Sequence, residues 1–172
     1  MRRLLVIAAL ALVCGCGRNH QQTGIRTFNR WPEARPFFEA AGAATKVEAF
    51  RVDPKVPAGD KPAARIGGFA VTAGPVSLSK NQVTRLRTLL GNRKTYYFDL
   101  HKKCEFQPGV ALRFHAADKS ADLLICFTCD ELGVVDEQGK LSTVSITTRR
   151  VLVELAQELF SKDREIAALT AD

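Results

Sequence analysis

The chain has 172 residues, of which 46% are hydrophobic and 25% are charged, and its formal net charge is +7 at pH 7. This length suits one domain with a sizeable core, and we expect a single domain over residues 28–172. The basic excess is modest and typical of surface charge that keeps a domain soluble, so we expect no nucleic-acid partner.

The first residues have the order of a secretory signal: Arg2 and Arg3, then an apolar run from Leu4 to Val13, then small residues around a cysteine. A membrane-spanning helix needs about 20 apolar residues, and this run is roughly half as long before glycines and Arg18 interrupt it. We therefore expect residues 1–15 to be removed on export. Removal takes away two arginines, which lowers the net charge from +7 to +5.

The segment Leu12-Val13-Cys14-Gly15-Cys16 resembles the lipobox of bacterial lipoproteins, in which an aliphatic and then a small residue precede the modified cysteine. The resemblance implies that Cys16 becomes an acylated N-terminus, and several acyl chains anchor a protein stably. It implies a lipid-anchored place in the cell envelope, at the outer membrane, facing the periplasm or the cell surface. The alternative is an ordinary signal peptide cut near Gly15 or Gly17, which leaves a secreted soluble domain.

Residues 16–27 are expected to be the lipidated cysteine that the resemblance implies, followed by a flexible tether that the polar composition after Cys16 predicts. A helix is predicted from Pro32, which suits a first helical turn, to Gly42, which suits a stop. The later predicted elements, in chain order, are strands at 46–52 and 66–72, a helix at 80–90, strands at 95–98, 110–115, 121–127, 132–135 and 141–146, and a final helix with apolar positions between Val151 and Phe160.

Helices near both ends of an antiparallel meander indicate an α+β domain, with about five to seven short strands and two to three helices. Ser79 and Gln82 match a capping box at the start of the second helix. Gly67 and Gly68 inside a predicted strand indicate a bulge or the close approach of another backbone. Thr147 or Thr148 can cap the final helix.

The domain has three cysteines, Cys104, Cys126 and Cys129. Their bonding state has to be explained, because exported domains meet an oxidising environment. The first account is a structural disulfide from Cys104 to Cys126 or Cys129. Closing a loop of about 20 to 25 residues stabilises a domain by roughly 3 kcal/mol in the chain-entropy model. The remaining cysteine is then expected to be a small buried hydrophobe.

In two alternative interpretations the same cysteines form a redox pair or a metal site. The pair Cys126 and Cys129 has the C-x-x-C spacing of redox sites, although Asp130 and Glu131 directly follow and would raise the thiol pKa. In the metal alternative, His101, Cys104, Cys126 and Cys129 supply one imidazole and three thiolates, enough for a tetrahedral zinc site. Oxidation competes with a metal for these thiols outside the cytoplasm.

The Cys-x3-Pro stretch at Cys104 to Pro108, followed by Cys126-Phe127-Thr128-Cys129, resembles a pattern in uncharacterised exported bacterial proteins. The resemblance implies a shared fold element and carries no activity. Other catalytic motifs, such as a G-x-S-x-G elbow, an H-E-x-x-H helix or a phosphate loop, do not occur in the sequence. His101 and His115 have no identifiable nucleophile or orienting partner.

The sequence thus predicts an envelope lipoprotein that is a binding or structural component rather than an enzyme, with no catalytic residue and no cofactor assigned. Its expected partners are a membrane, through the lipid anchor, and an envelope protein or polymer. The alternative function is a thiol-disulfide oxidoreductase or a zinc-binding protein. In the enzyme version, Cys126 and Cys129 are the reactive pair and Cys104 resolves the mixed disulfide.

Overall fold

The structure is a computed structural model that describes residues 30–56, 64–100, 102–117, 119–136 and 138–171. The expected signal peptide, Cys16 and the tether lie outside the described residues. Within them, no helix combines the length and apolar character needed to cross a bilayer.

The described chain forms one antiparallel sheet with helices, so the predicted α+β class is confirmed. The strands are β1 (Lys46–Asp53), β2 (Arg65–Ile66), β3 (Phe69–Ser77), β4 (Tyr96–Tyr97), β5 (Val110–His115), β6 (Ser120–Cys126), β7 (Glu131–Val135) and β8 (Leu141–Ile146). The helices are α1 (Arg35–Ala43), α2 (Lys80–Gly91), α3 (Arg150–Leu159) and α4 (Arg164–Ala167), with 3-10 turns at Pro32–Ala34 and Arg93–Thr95. The sheet order is β2-β3-β1-β5-β6-β7-β8-β4.

The sheet has eight strands, more than the five to seven expected, and the predicted strand over 66–72 is wrong. Gly67 and Gly68 have φ values of 59° and 88°, and they form a two-residue turn between β2 and β3. In the hairpin Ile66 pairs with Phe69. A primed turn needs positive φ at both central residues, which glycine adopts without strain, so the paired glycines make a hairpin rather than a bulge.

The described residues also contain four helices rather than two or three, because α4 follows α3 after a short turn. The Asp163 side chain caps α4 by accepting from the backbone N–H groups of Glu165 and Ile166, both at 3.0 Å. A four-residue helix is too short to give a periodic pattern, so the sequence did not predict it. The expected threonine cap of the preceding helix is also absent, since α3 begins without a side-chain cap.

The main core lies between one face of the sheet and the helices. Helix α1 packs on β5 and β6, where Phe37 meets Phe114 edge to face at 5.3 Å between ring centroids. A smaller cluster covers the other face, formed by Val52, Ile66, Ala111 and Leu124. Strands β5 and β6 are therefore buried on both sides, as the continuous apolar run in β6 predicts.

Candidate functional site

A disulfide joins Cys104, in the loop before β5, to Cys129, in the turn after β6. The two Cα atoms are 6.1 Å apart, and the sequence separation is 25 residues. The predicted structural disulfide is confirmed, with Cys129 as the partner. Cys126 is a free, fully buried cysteine at the end of β6, as expected of the residue left over.

The C-x-x-C pair is not joined in the structure, because the bond runs from Cys129 to Cys104. After Cys129 the chain makes a turn and enters β7 rather than a helix. A helix N-terminus is the usual means of stabilising a thiolate in such pairs, and none follows here. The local geometry therefore does not favour an activated thiol at Cys126 or Cys129.

Of the proposed zinc ligands, the structure brings together Cys104 and Cys129, while His101 lies outside the described residues. A carboxylate completes a different group, since ligand atoms of Cys104, Cys129 and Glu131 lie within 4.8 Å of one another. In the sequence, Glu131 stands out as a charge beside the sulfur. While the two sulfurs are bonded to each other, neither is a thiolate that can bind a metal.

A cavity of about 330 Å³ opens beside the disulfide. This volume is at the lower end of the range for small-molecule sites. Four parts of the chain line the cavity: residues 30–33, the stretch after β4, the loop around Cys104, and the strands β7 and β8. Its lining includes aromatic, acidic, basic and hydroxyl side chains, among them Trp31, Tyr97, Phe98, Phe106, Glu131 and Ser145.

Arg30 and Trp31, here called the N-terminal strap, form one wall of this pocket. The Arg30 guanidinium donates to both carboxylate oxygens of Asp99 at 2.7 Å and lies 5.1 Å above the Phe98 ring centre. The indole N–H of Trp31 donates to Ser142 Oγ at 2.8 Å. These contacts tie the start of the domain to β8 and to the chain after β4, so the pocket wall is held in place by side-chain hydrogen bonds.

The most unusual group in the pocket is the carboxylate of Glu131, because the residue is only 8% exposed. Ser145 Oγ lies 3.4 Å from Glu131 Oε1 and 3.2 Å from the carbonyl oxygen of Leu100, so one hydroxyl hydrogen serves two acceptors. Both distances exceed the usual 2.5–3.0 Å for such bonds. Among the described residues, no basic side chain forms an ion pair with Glu131.

The two basic side chains in the pocket lining are engaged elsewhere. Arg30 is paired with Asp99. Lys102 Nζ donates to the carbonyl oxygen of Cys129 at 2.5 Å and lies 3.5 Å from the Asp130 carboxylate. The positive charges of the lining thus have their own partners, whereas the buried carboxylate has, among the described residues, only a shared hydroxyl.

A second cavity, of about 460 Å³, lies over Arg51 and α4. The Arg51 guanidinium, with its side chain 9% exposed, donates to Asp163 at 2.6 Å and Glu165 at 3.0 Å. It also donates to the carbonyl oxygen of Gly109. Since this buried charge has three acceptors, the arrangement joins β1 to α4 structurally, and the Arg51 charge is already paired.

His115 lies at the end of β5, with Nε2 at 2.7 Å from the Glu48 carboxylate. Lys46 lies 2.6 Å from the same carboxylate, and the hydrogen bond from Lys46 and then that from His115 lower the Glu48 pKa against the effect of burial. Asp122 pairs with Arg113 across β5 and β6. The Glu48–His115 and Arg113–Asp122 contacts join neighbouring strands, and the Lys46–Glu48 pair lies within β1. No nucleophile stands beside the imidazole among their described contacts.

The chain was compared with protein-family models, with curated proteins and with solved structures, and no match was found. The pocket must therefore be interpreted from its own chemistry. Its described lining holds no nucleophile hydrogen-bonded to a histidine, which covalent catalysis would need. An aromatic, partly charged concavity of this size is typical of a binding site.

Proposed function

We propose that this protein is an exported, lipid-anchored component of a bacterial cell envelope, and that its domain binds a ligand in the pocket between the N-terminal strap and β8. The observation that carries the proposal is the Cys104–Cys129 disulfide at the pocket edge. Disulfides persist in oxidising compartments outside the cytoplasm. This agrees with the lipobox at Cys16, which implies export by an independent signal.

The place of the pocket in the chain supports a role near a membrane. Arg30 lines the pocket and lies 14 positions after Cys16 in the sequence. Fully extended, the segment Gly17 to Arg30 reaches at most about 50 Å. Acyl chains on Cys16 would therefore hold the pocket within this distance of the bilayer, at the outer membrane and on its periplasmic or outer surface.

The aromatic lining of the pocket supports a binding function for the domain rather than a catalytic one. Tyr97 and Leu100, which are 54% and 46% exposed, both stand at this pocket, and they are the large hydrophobic side chains exposed in the described part of the chain. Exposed apolar groups gathered at one concavity are typical of an interaction site. An envelope protein or polymer could present the ligand as part of a larger surface.

The anchoring half of the proposal is tested by cell fractionation of two matched variants, Cys16→Ser and Cys14→Ser. We expect the native chain and Cys14→Ser to remain with membranes until detergent is added, and Cys16→Ser to lose this behaviour. Salt washing separates peripheral adsorption from lipid anchoring, because salt screens charge but does not extract acyl chains. Recovery of the native chain in the soluble fraction would contradict the proposal.

The alternative proposal, a thiol-disulfide oxidoreductase or zinc protein, is favoured by one observation: Cys104 is exposed while its partner Cys129 is buried. An exposed sulfur is open to attack by an external thiol. Reduction of an exogenous disulfide by the pre-reduced domain, whose Cys104 and Cys129 thiols would be oxidised to the disulfide in exchange, would support the oxidoreductase if it is lost in Cys104→Ser. Stoichiometric zinc bound by the purified domain and lost in Cys104→Ser would support the metal protein instead.

A further inference from the structure

We propose that the pocket beside the disulfide binds a small alkylammonium ion, with the Glu131 carboxylate as its counter-ion. This inference rests on the proposed binding role, and it adds the chemical class of the ligand. The ligand would enter between the N-terminal strap and Tyr97 and place its charged end against Glu131.

Glu131 buries a carboxylate with little compensation. An ionised carboxylate has two oxygens that can accept about four hydrogen bonds. From the described residues, Glu131 receives one long contact, from Ser145, whose hydrogen is shared with Leu100. Burying a charge is costly unless it is paired, so a group that brings positive charge and donors to this point gains much of its binding energy there.

The two basic side chains near Glu131 are already paired with other groups. Lys102 approaches the pocket from the Cys129 side, but its charge is directed to the Cys129 carbonyl and to Asp130. Arg30 is held by both oxygens of Asp99. Neither forms an ion pair with Glu131, and Glu33, a second carboxylate in the lining, has no ion pair among the described residues. The charge left over in the pocket is therefore negative.

The aromatic side chains of the pocket lining favour an organic cation over a metal ion. Trp31, Tyr97, Phe98 and Phe106 all line the pocket. Aromatic faces attract organic cations and bury the alkyl groups attached to them. A metal ion is a poorer match, because Cys104 and Cys129 are bonded to each other and leave Glu131 as the remaining ligand of that group. An alkylammonium uses both the carboxylate and the rings.

The test is a calorimetric titration of the oxidised domain with three probes of equal chain length: butylammonium, butanol and butyrate. We expect saturable binding of butylammonium and none of the neutral or anionic probes. The isosteric change Glu131→Gln should weaken butylammonium binding by about tenfold or more, since it removes the charge and keeps the shape. The matched control Glu39→Gln removes an exposed charge away from the pocket and should leave affinity unchanged.

A second variant keeps the proposal testable if Glu131→Gln folds poorly. Tyr97→Ala removes an exposed ring, so folding should survive, and affinity should fall roughly threefold to tenfold through loss of cation–π contact. The proposal is overturned if butylammonium does not saturate, if butanol binds equally, or if both variants bind as the native domain does. Zinc binding to the oxidised domain that competes with butylammonium would also overturn it. Fractionation of the Cys16 variants is independent of all these outcomes, so failure here leaves the anchoring proposal standing.

Discussion

The Arg51 guanidinium donates from the sheet to the Asp163 carboxylate across 2.6 Å, and the same carboxylate caps α4. One side chain therefore satisfies a buried cation and two open backbone donors at the end of the chain. Asp163 therefore joins the last described helix to β1. Substituting it tests how much this contact stabilises the C-terminal region.

Asp163→Ala should destabilise the domain by about 2–3 kcal/mol, because it removes a helix cap and leaves a buried guanidinium with fewer acceptors. Chemical denaturation measures the change in the free energy of unfolding. Asp99→Ala is the matched control, since it also breaks an aspartate–arginine pair but at a side chain that is 87% exposed. The control should cost about 1 kcal/mol or less. Equal losses in the two variants would contradict the proposed join.

The Asp163 carboxylate should also make stability depend on acidity. Burial raises its pKa, but the hydrogen bond and charge of Arg51 and the two backbone N–H groups outweigh this, so the pKa in the folded protein is lowered. Its stabilisation is therefore fully present above the unfolded pKa of about 4 and is lost as the pH falls through the lower folded pKa. The difference in unfolding free energy between the native domain and Asp163→Asn should be constant near neutrality and shrink below about pH 4. A difference that does not change in acid would contradict this.

The Cys104–Cys129 bond should stabilise the domain by about 3 kcal/mol, because it lowers the conformational entropy of the unfolded chain by closing a loop of 25 residues. Reductant should therefore lower the stability of the native domain by this amount. The double variant Cys104→Ala with Cys129→Ala should show the loss already and be insensitive to reductant. Cys126→Ala should stay sensitive to reductant, since it keeps the bond; insensitivity there would mean that Cys126 is a partner.

The two glycines of the β2–β3 turn should differ in their tolerance of a methyl group. Gly68→Ala meets open space and should cost about 1–2 kcal/mol through its positive φ alone. At Gly67 the new Cβ would lie 2.7 Å from Leu124 Cδ1, and Leu124 is fully buried and cannot move aside freely. Thermal unfolding should therefore show a larger loss for Gly67→Ala, and equal losses would show that the hairpin does not pack on β6.

Local patterns predicted most of the fold. The capping box is present as expected, with Gln82 N–H donating to Ser79 Oγ at 3.3 Å and Ser79 N–H donating to Gln82 Oε1 at 2.8 Å. Such contacts depend on neighbours in the sequence, so spacing reveals them. The paired glycines were visible too, but their φ values, which decide between a bulge and a turn, depend on what the hairpin packs against.

The pocket could not be predicted in the same way. Trp31 and Ser142 form a hydrogen bond across 111 positions of sequence, and Arg30 reaches Asp99 across 69. No local period carries such information. Glu131 was visible as an acidic residue after Cys129, but its burial follows from the neighbouring strand β8 and Ser145, which pair with it only in the folded sheet.

Intact mass spectrometry of the unreduced protein, extracted from its native membrane, shows whether an acylated Cys16 and a closed Cys104–Cys129 disulfide occur in the same molecule. We expect a chain that begins at Cys16, carries several acyl groups, and is lighter by two hydrogens than the fully reduced form because of the Cys104–Cys129 bond. A mature chain without acyl groups, or one in which Cys104 and Cys129 are both free thiols, would contradict the account.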